Sequence, residues 1–266
     1  RQVHVLDAGG APPRVQIVRE RPWNDRSEVH GPFDIIGDVH GCLGELRTLL
    51  EDLGWALDFD YAGRAVGASH PQGRLAVFVG DLVDRGPDSP GVVRLVMGMV
   101  EQGSALCVSG NHEAKLVRAL RGTTVTVSHG LAQSLEQFGR EPDQFRADAL
   151  AFMDGLVAHY VLDDGRLVVA HAGLKEEYHG RTSARVRAFA LYGDTSGETD
   201  EYGLPVRYPW AQDYRGKAMV VYGHTPVPSA QWLNNTICLD TGAVFGGALT
   251  ALRYPERQIV SVPAQQ

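Results

Sequence analysis

The chain has 266 residues, a formal net charge of −7, 44% hydrophobic residues and 21% charged ones. That is enough apolar material for one sizeable core, while the acidic balance argues against a broad grip on nucleic-acid phosphates and the lack of any apolar run of about 18 residues excludes a membrane helix. Cys42, Cys107 and Cys238 share no CxxC spacing and read as reduced, inert thiols of a cytoplasmic protein.

The chain begins at Arg1 and reads as part of a longer polypeptide. Residues 1–32 mix Val-rich pieces, Val3–Leu6 and Val15–Val18, with prolines and charges, which suggests an edge strand or an arm. Asp34–Ile36 then reads as a short buried strand that turns into Gly37-Asp38-Val39-His40-Gly41. Residues i and i+2 share a face, so Asp38 and His40 can grip one ion where ligand sites of open α/β sheets lie. Leucines at helical spacing follow, from Leu43 to Leu53. Gly63–Gly73 reads as a turn-rich excursion before a second strand, Leu75–Val79, which delivers Gly80-Asp81-Leu82-Val83-Asp84-Arg85-Gly86.

Pro87-Asp88-Ser89-Pro90 predicts a helix start, with the helix ending near Gly103. A third strand, Ala105–Val108, feeds Gly110-Asn111-His112-Glu113, and a helix runs on to about Arg121. Residues 128–158 read as purely helical. Asp163-Asp164-Gly165 predicts a hairpin turn into the strand Arg166–Ala170, followed by His171-Ala172-Gly173. Residues 175–216 form a polar insert or lid around a short helix near Thr182–Tyr192, where Tyr208, Trp210 and Tyr214 either stack on a base or pack the insert. Ala218–Tyr222 leads to Gly223-His224-Thr225, and Thr236–Leu239 leads to Asp240-Thr241-Gly242. Asn234-Asn235-Thr236, although a glycosylation sequon, reads as a hairpin turn, and the remaining tail reads as β structure. This order predicts a layered α/β sandwich with two central sheets flanked by helices, over residues 33–266.

Six strands thus end in Gly-flanked turns that carry a metal-ligating or acid/base side chain. Two neighbouring cations need a shared carboxylate, and Asp81, on the central strand of the set, is the best bridge. Asp38 and His40 complete one shell, and Asn111, His171 and His224 the other. Imidazole with carboxylate and amide oxygen suits manganese, iron, nickel, cobalt or zinc over magnesium or calcium, with manganese the first choice. Such a centre activates water and clamps an in-line displacement at phosphorus. Arg85 can chelate phosphate oxygens, Asn111 and His112 also face substrate, and His112 can protonate the leaving oxygen with Asp84 orienting it. Asp240 reads first as a group that orients a ligand histidine, and otherwise as a structural cap at its strand's end. The remaining histidines, His4, His30, His70, His129, His159 and His179, read as surface or satisfied core residues.

These motifs, GDVHG, GDLVDRG, GNHE, HAG and GHT, resemble the signature of the PPP-type, calcineurin-like metallophosphoesterases. The stretches Asp81–Ser89, Gly110–Leu116, His224–Pro228 and Asp240–Gly247 resemble most the phosphatase domain of bacterial polynucleotide kinase-phosphatases. That resemblance implies a metal-dependent phosphatase acting on 3′-, 2′- or 2′,3′-cyclic phosphates of RNA ends or nucleotides. It further implies fused kinase and ligase-like domains, an RNA methyltransferase partner, and residues 1–32 as the link from a preceding domain. Val108-Ser109 stands where eukaryotic Ser/Thr phosphatases carry Leu-Arg before GNHE, which weighs against a protein phosphatase. The alternatives are a dinucleoside tetraphosphatase or protein phosphatase of the same superfamily, and, in another class, a non-catalytic metal-bound scaffold.

Overall fold

A computed structural model describes residues 21–199 and 205–265. The Val-rich pieces expected at Val3–Leu6 and Val15–Val18 lie outside the described residues. In chain order the elements are β1 (Asp25–Arg26), β2 (Phe33–Ile36), α1 (Leu43–Asp52), β3 (Ala56–Phe59), β4 (Ala65–Ser69), β5 (Leu75–Phe78), α2 (Ser89–Glu101), β6 (Ala105–Cys107) and α3 (Asn111–Leu120). There follow α4 (Leu131–Gly139), α5 (Asp143–Gly155), β7 (His159–Leu162), β8 (Leu167–Ala170), α6 (Ala184–Tyr192), β9 (Thr195–Thr199), β10 (Pro205–Arg207) and α7 (Trp210–Asp213). Strands β11 (Met219–Tyr222), β12 (Trp232–Leu233), β13 (Thr236–Cys238), β14 (Ala248–Tyr254) and β15 (Gln258–Pro263) close the chain.

Two sheets form the centre, in the orders β15-β14-β2-β5-β6 and β1-β7-β8-β11-β13-β12. The period-2 alternation of side chains builds the layers. Ile35, Val77 and Val79 of the first sheet face Leu167, Val169, Val221 and Ile237 of the second. Ile36 and Phe78 point the other way, into a core with Leu46 and Leu49 of α1 and Val92, Val96 and Met99 of α2. On the far side of the second sheet, Val168, Ala170 and Val220 pack under Val186 and Phe189 of α6 and Trp210. The result is the expected sandwich of two sheets between helical layers.

Strands β2, β5 and β6 run parallel, as do β8, β11 and β13. Their C-terminal ends carry the Gly-flanked turns. Asn234 and Asn235 form the expected turn between the antiparallel β12 and β13. The excursion at Gly63–Gly73 is more ordered than its sequence suggests: Ala65–Ser69 is a strand paired with β3. The backbone of Val66 meets α2 so closely that a Cβ on Gly98 would lie 1.8 Å from the Val66 carbonyl oxygen. Tight backbone packing, which no side-chain periodicity encodes, holds this hairpin.

Candidate metal centre

Asp81 lies at the centre of a buried cluster. One oxygen, Oδ2, is 3.3 Å from His171 Nε2, 3.5 Å from His40 Nε2 and 3.9 Å from His112 Nε2. The other, Oδ1, accepts the His112 backbone N–H at 3.1 Å. Asp81 belongs to both nearby groups of donors, His40/Asp81/His112 and Asp81/His171/His224, whose ligand atoms lie within 4.8 Å of one another.

Each turn fixes the ring nitrogen that faces Asp81. His40 Nδ1 donates to the Val83 carbonyl at 2.8 Å and His171 Nδ1 to the Val79 carbonyl at 3.1 Å, so both rings present Nε2 to the cluster. Asn111, the first residue of α3, places Oδ1 2.9 Å from both His171 Nε2 and His224 Nδ1. Asp38 Oδ2 accepts the His224 N–H at 2.9 Å. Its Oδ1 is buried with no hydrogen-bond partner, a costly state for a carboxylate unless a cation completes it. The glycines are demanded by contact: a Cβ on Gly223 would lie 1.7 Å from Asp38 Oδ1, and one on Gly110 would lie 2.1 Å from Asp81 Oδ1.

The protonation pattern follows the same geometry. Burial opposes ionisation of Asp81, but the imidazoles of His171, His112 and His40 hold its carboxyl well below the usual range. Burial and the charge of Asp240 raise Asp38 well above it. Burial lowers His40 to about 4, and burial with the adjacent His171 lowers His224 to about 3, so both rings are neutral and keep a lone pair on one nitrogen. This set of hard oxygens and imidazole nitrogens fits two divalent transition ions.

A model of the calcineurin-like phosphoesterase family matches residues 31–239. The chain belongs to this family. Among its relatives is an asymmetrical bis(5′-nucleosyl)-tetraphosphatase, PrpE, of Anoxybacillus flavithermus, 45% identical over 236 residues that span 87% of this chain and 94% of the relative. The protein of the same name in Geobacillus thermodenitrificans is 46% identical with the same coverage. A solved structure described in provisional terms as a diadenosine tetraphosphatase aligns with a TM-score of 0.63 at 28% identity, covering 90% of this chain and 96% of that one. A serine/threonine phosphatase of Saccharomyces cerevisiae shares the fold, with a TM-score of 0.58 at 13% identity and coverage of 88% and 79%.

The likeness to polynucleotide kinase-phosphatases expected from the motifs is therefore corrected at the level of subfamily, because these relatives carry the name of a tetraphosphatase. The family itself stands: the protein is a metallophosphoesterase, and enzymes of this family bind divalent metals. Among the described residues no helix is long and apolar enough to cross a membrane.

Around the cluster of this phosphoesterase, His112 Nδ1 pairs with Asp84 Oδ2 at 2.6 Å. Arg85 Nη1 reaches His40 Nε2 at 2.5 Å, and its guanidinium lies 5.2 Å from the centre of the Phe245 ring. Asp240 sits as a cap, the second of its two readings. Its Oδ1 accepts the Gly242 N–H at 3.1 Å, and it makes no hydrogen bond to a histidine among the described residues. Its carboxylate caps the glycine turn and adds negative charge beside Asp38.

Motif reading gave Glu113 no role, yet it organises the cluster. Its carboxylate accepts the N–H groups of Asp81 at 2.9 Å, Leu82 at 2.7 Å, Val83 at 3.2 Å and Gly110 at 2.8 Å. Burial and the charge of Asp81 push its carboxyl up to about 7, and those amide donors, with the nearby imidazoles, oppose the shift. The available signal was a carboxylate three residues after Gly110, the spacing of a capping box. Asp81, Asp84 and Arg85 all have positive φ, at 50°, 73° and 71°, so the turn needs such an external template.

Proposed function

We propose that this phosphoesterase hydrolyses dinucleoside tetraphosphates asymmetrically, releasing a nucleoside triphosphate and a nucleoside monophosphate. The observation that carries this reading is the likeness of 45–46% to two proteins of that name, across 87% of this chain and 94% of theirs. The RNA-end reading rests on short motif stretches alone, and with it rest the kinase, ligase-like and methyltransferase partners.

In this proposal Asp38, His40 and Asp81 hold one divalent ion, and Asp81, Asn111, His171 and His224 hold the other. Manganese is the first choice of metal. Bound there, the pair supplies a water of lowered pKa and neutralises phosphate charge. The chain's own residues do the rest. Arg85 offers a planar fork to the non-bridging phosphate oxygens, and Phe245 under its guanidinium limits where that fork can point. His112 uses Nδ1 on Asp84, which leaves Nε2 to face the departing oxygen, where its proton counts most for a poor leaving group and little for a nucleotide phosphate. Asp84 fixes the ring so that Nε2, and not Nδ1, faces the site. Such an acid has no use in a non-catalytic scaffold.

The test is a product analysis. With manganese and diadenosine tetraphosphate, chromatography should show AMP and ATP in equal amounts. Adenosine 2′,3′-cyclic phosphate, adenosine 3′-phosphate and a phosphopeptide, assayed in parallel, should be turned over more slowly. Two molecules of ADP, or turnover confined to the cyclic or 3′-phosphate, would overturn the proposal.

A further inference from the structure

A cavity of 410 Å³ opens directly beside His224. Its volume falls in the range of small-molecule sites, about 300–1,000 Å³. It lies between the insert and the second sheet, and its walls include Arg207, Tyr208, Trp210, Tyr222, Val227 and Leu233. Gly223 and His224 also line it, so a molecule with its phosphate at the metal cluster meets this space next. Apolar and aromatic walls with a few polar groups suit a planar heterocycle better than a second phosphate.

The aromatic residues of the insert, two of which line the cavity, differ in what the fold already asks of them. Trp210 is 8% exposed and wedged edge-on against Tyr222 and Phe189, with ring centres at 5.1 and 6.2 Å. It is a fixed wall. Tyr214, a third candidate in the insert, is buried and donates its hydroxyl to the Ala218 carbonyl at 2.8 Å. Tyr208 is different, with half its surface exposed, 51%. Its backbone is held at both ends, its N–H on the Asp194 carbonyl at 2.8 Å and its carbonyl on the Trp210 N–H at 2.8 Å. The fold therefore fixes the position of Tyr208 and leaves its ring half uncovered. Phe245, another exposed aromatic near the cluster, already carries the Arg85 guanidinium.

We propose that this cavity is a nucleoside subsite, in which Tyr208 stacks on the base of a nucleotide whose phosphate lies at His224 and Asn111, with Arg207 beside the phosphates. The proposal rests on reading the site as a nucleotide hydrolase. It does not depend on which phosphate bond is cut. Stacking on an aromatic side chain tolerates every base, so the subsite selects for a nucleotide rather than for one particular base.

The test measures inhibition of p-nitrophenyl phosphate hydrolysis by AMP and by ribose 5-phosphate, which share sugar and phosphate and differ in the base. The wild-type enzyme should bind AMP about 10-fold more tightly, a typical return for one stacked base. Tyr208→Ala should bring the ratio of the two inhibition constants close to one, and Tyr208→Phe should keep it. Leu233→Trp fills the same cavity from β12 and should also abolish the preference, so the conclusion does not hang on one variant. Ribose 5-phosphate acts as the internal reference in each protein. Equal inhibition constants in the wild type, or an undiminished ratio in both Tyr208→Ala and Leu233→Trp, would overturn the proposal. No tetraphosphate enters the measurement, so its failure and a failure of asymmetrical cleavage are separate results.

Discussion

His112 Nδ1 is committed to Asp84 at 2.6 Å, and only Nε2 is left to meet a substrate or a metal. The two roles make different predictions about leaving groups. An alkoxide departing from a nucleoside 3′-phosphate needs a proton in the transition state, whereas a nucleotide phosphate or p-nitrophenolate leaves well without one. As a general acid His112 contributes about 10²–10⁴-fold where the leaving group is poor. His112→Ala should therefore lose activity in that range on adenosine 3′-phosphate and much less on p-nitrophenyl phosphate or diadenosine tetraphosphate. Equal losses on all three esters, with metal content unchanged, would remove His112 from this role. At this scale the sequence was highly legible. Asp38, His40, Asp81, Asn111, His171 and His224 each follow an apolar strand at a glycine, and the fold brings them all together. Asp240 kept two readings because a carboxylate near histidines has no sequence mark that separates a histidine partner from a cap on its own turn's Gly242 N–H.

Strand β7 shows how an element is tied to the short edge strand β1 of the second sheet. Asp25–Arg26 pairs in parallel with Val161–Leu162, and beside that pairing His159 Nε2 receives Asn24 Nδ2 at 2.8 Å and the Gly180 N–H at 3.2 Å. Two donors on one ring nitrogen require a neutral imidazole, because a protonated one would set a donor against donors. Burial, helped by the charge of His179, lowers His159 from 6.5 to about 4. The folded pKa lies below the unfolded one, so the neutral ring's contribution is complete above pH 6.5 and is lost as pH falls toward 4. A displacement of that size corresponds to about 3 kcal/mol. Gln in place of His159 can accept from the same donors without titrating. Thermal midpoints followed from neutral to acid pH should fall more steeply for the wild type than for His159→Gln, and parallel curves would refute this account. The sequence left His159 as either a surface or a satisfied core residue and could not name its partners, which lie 135 and 21 residues away.

For the whole molecule, the six Gly-flanked turns prefigure the sandwich because parallel strands deliver their C-terminal turns to a common edge. What stayed hidden arises from contacts between distant backbones. The β3–β4 hairpin depends on Gly98 of α2 meeting Val66, and the Asp81–Arg85 turn depends on Glu113 gathering its amides. The subfamily also stayed hidden, since the motifs that build the metal cluster are the ones related phosphatases share. All of these features serve one arrangement, in which Asp81 is common to two groups of donors. The measurement that bears most directly on it is metal content by elemental analysis after loading with manganese and removing excess. The wild-type chain should hold close to two ions, and Asp81→Ala should fall below one, because both groups lose a ligand together. A variant that still holds two ions, with its fold intact by circular dichroism, would contradict the shared site.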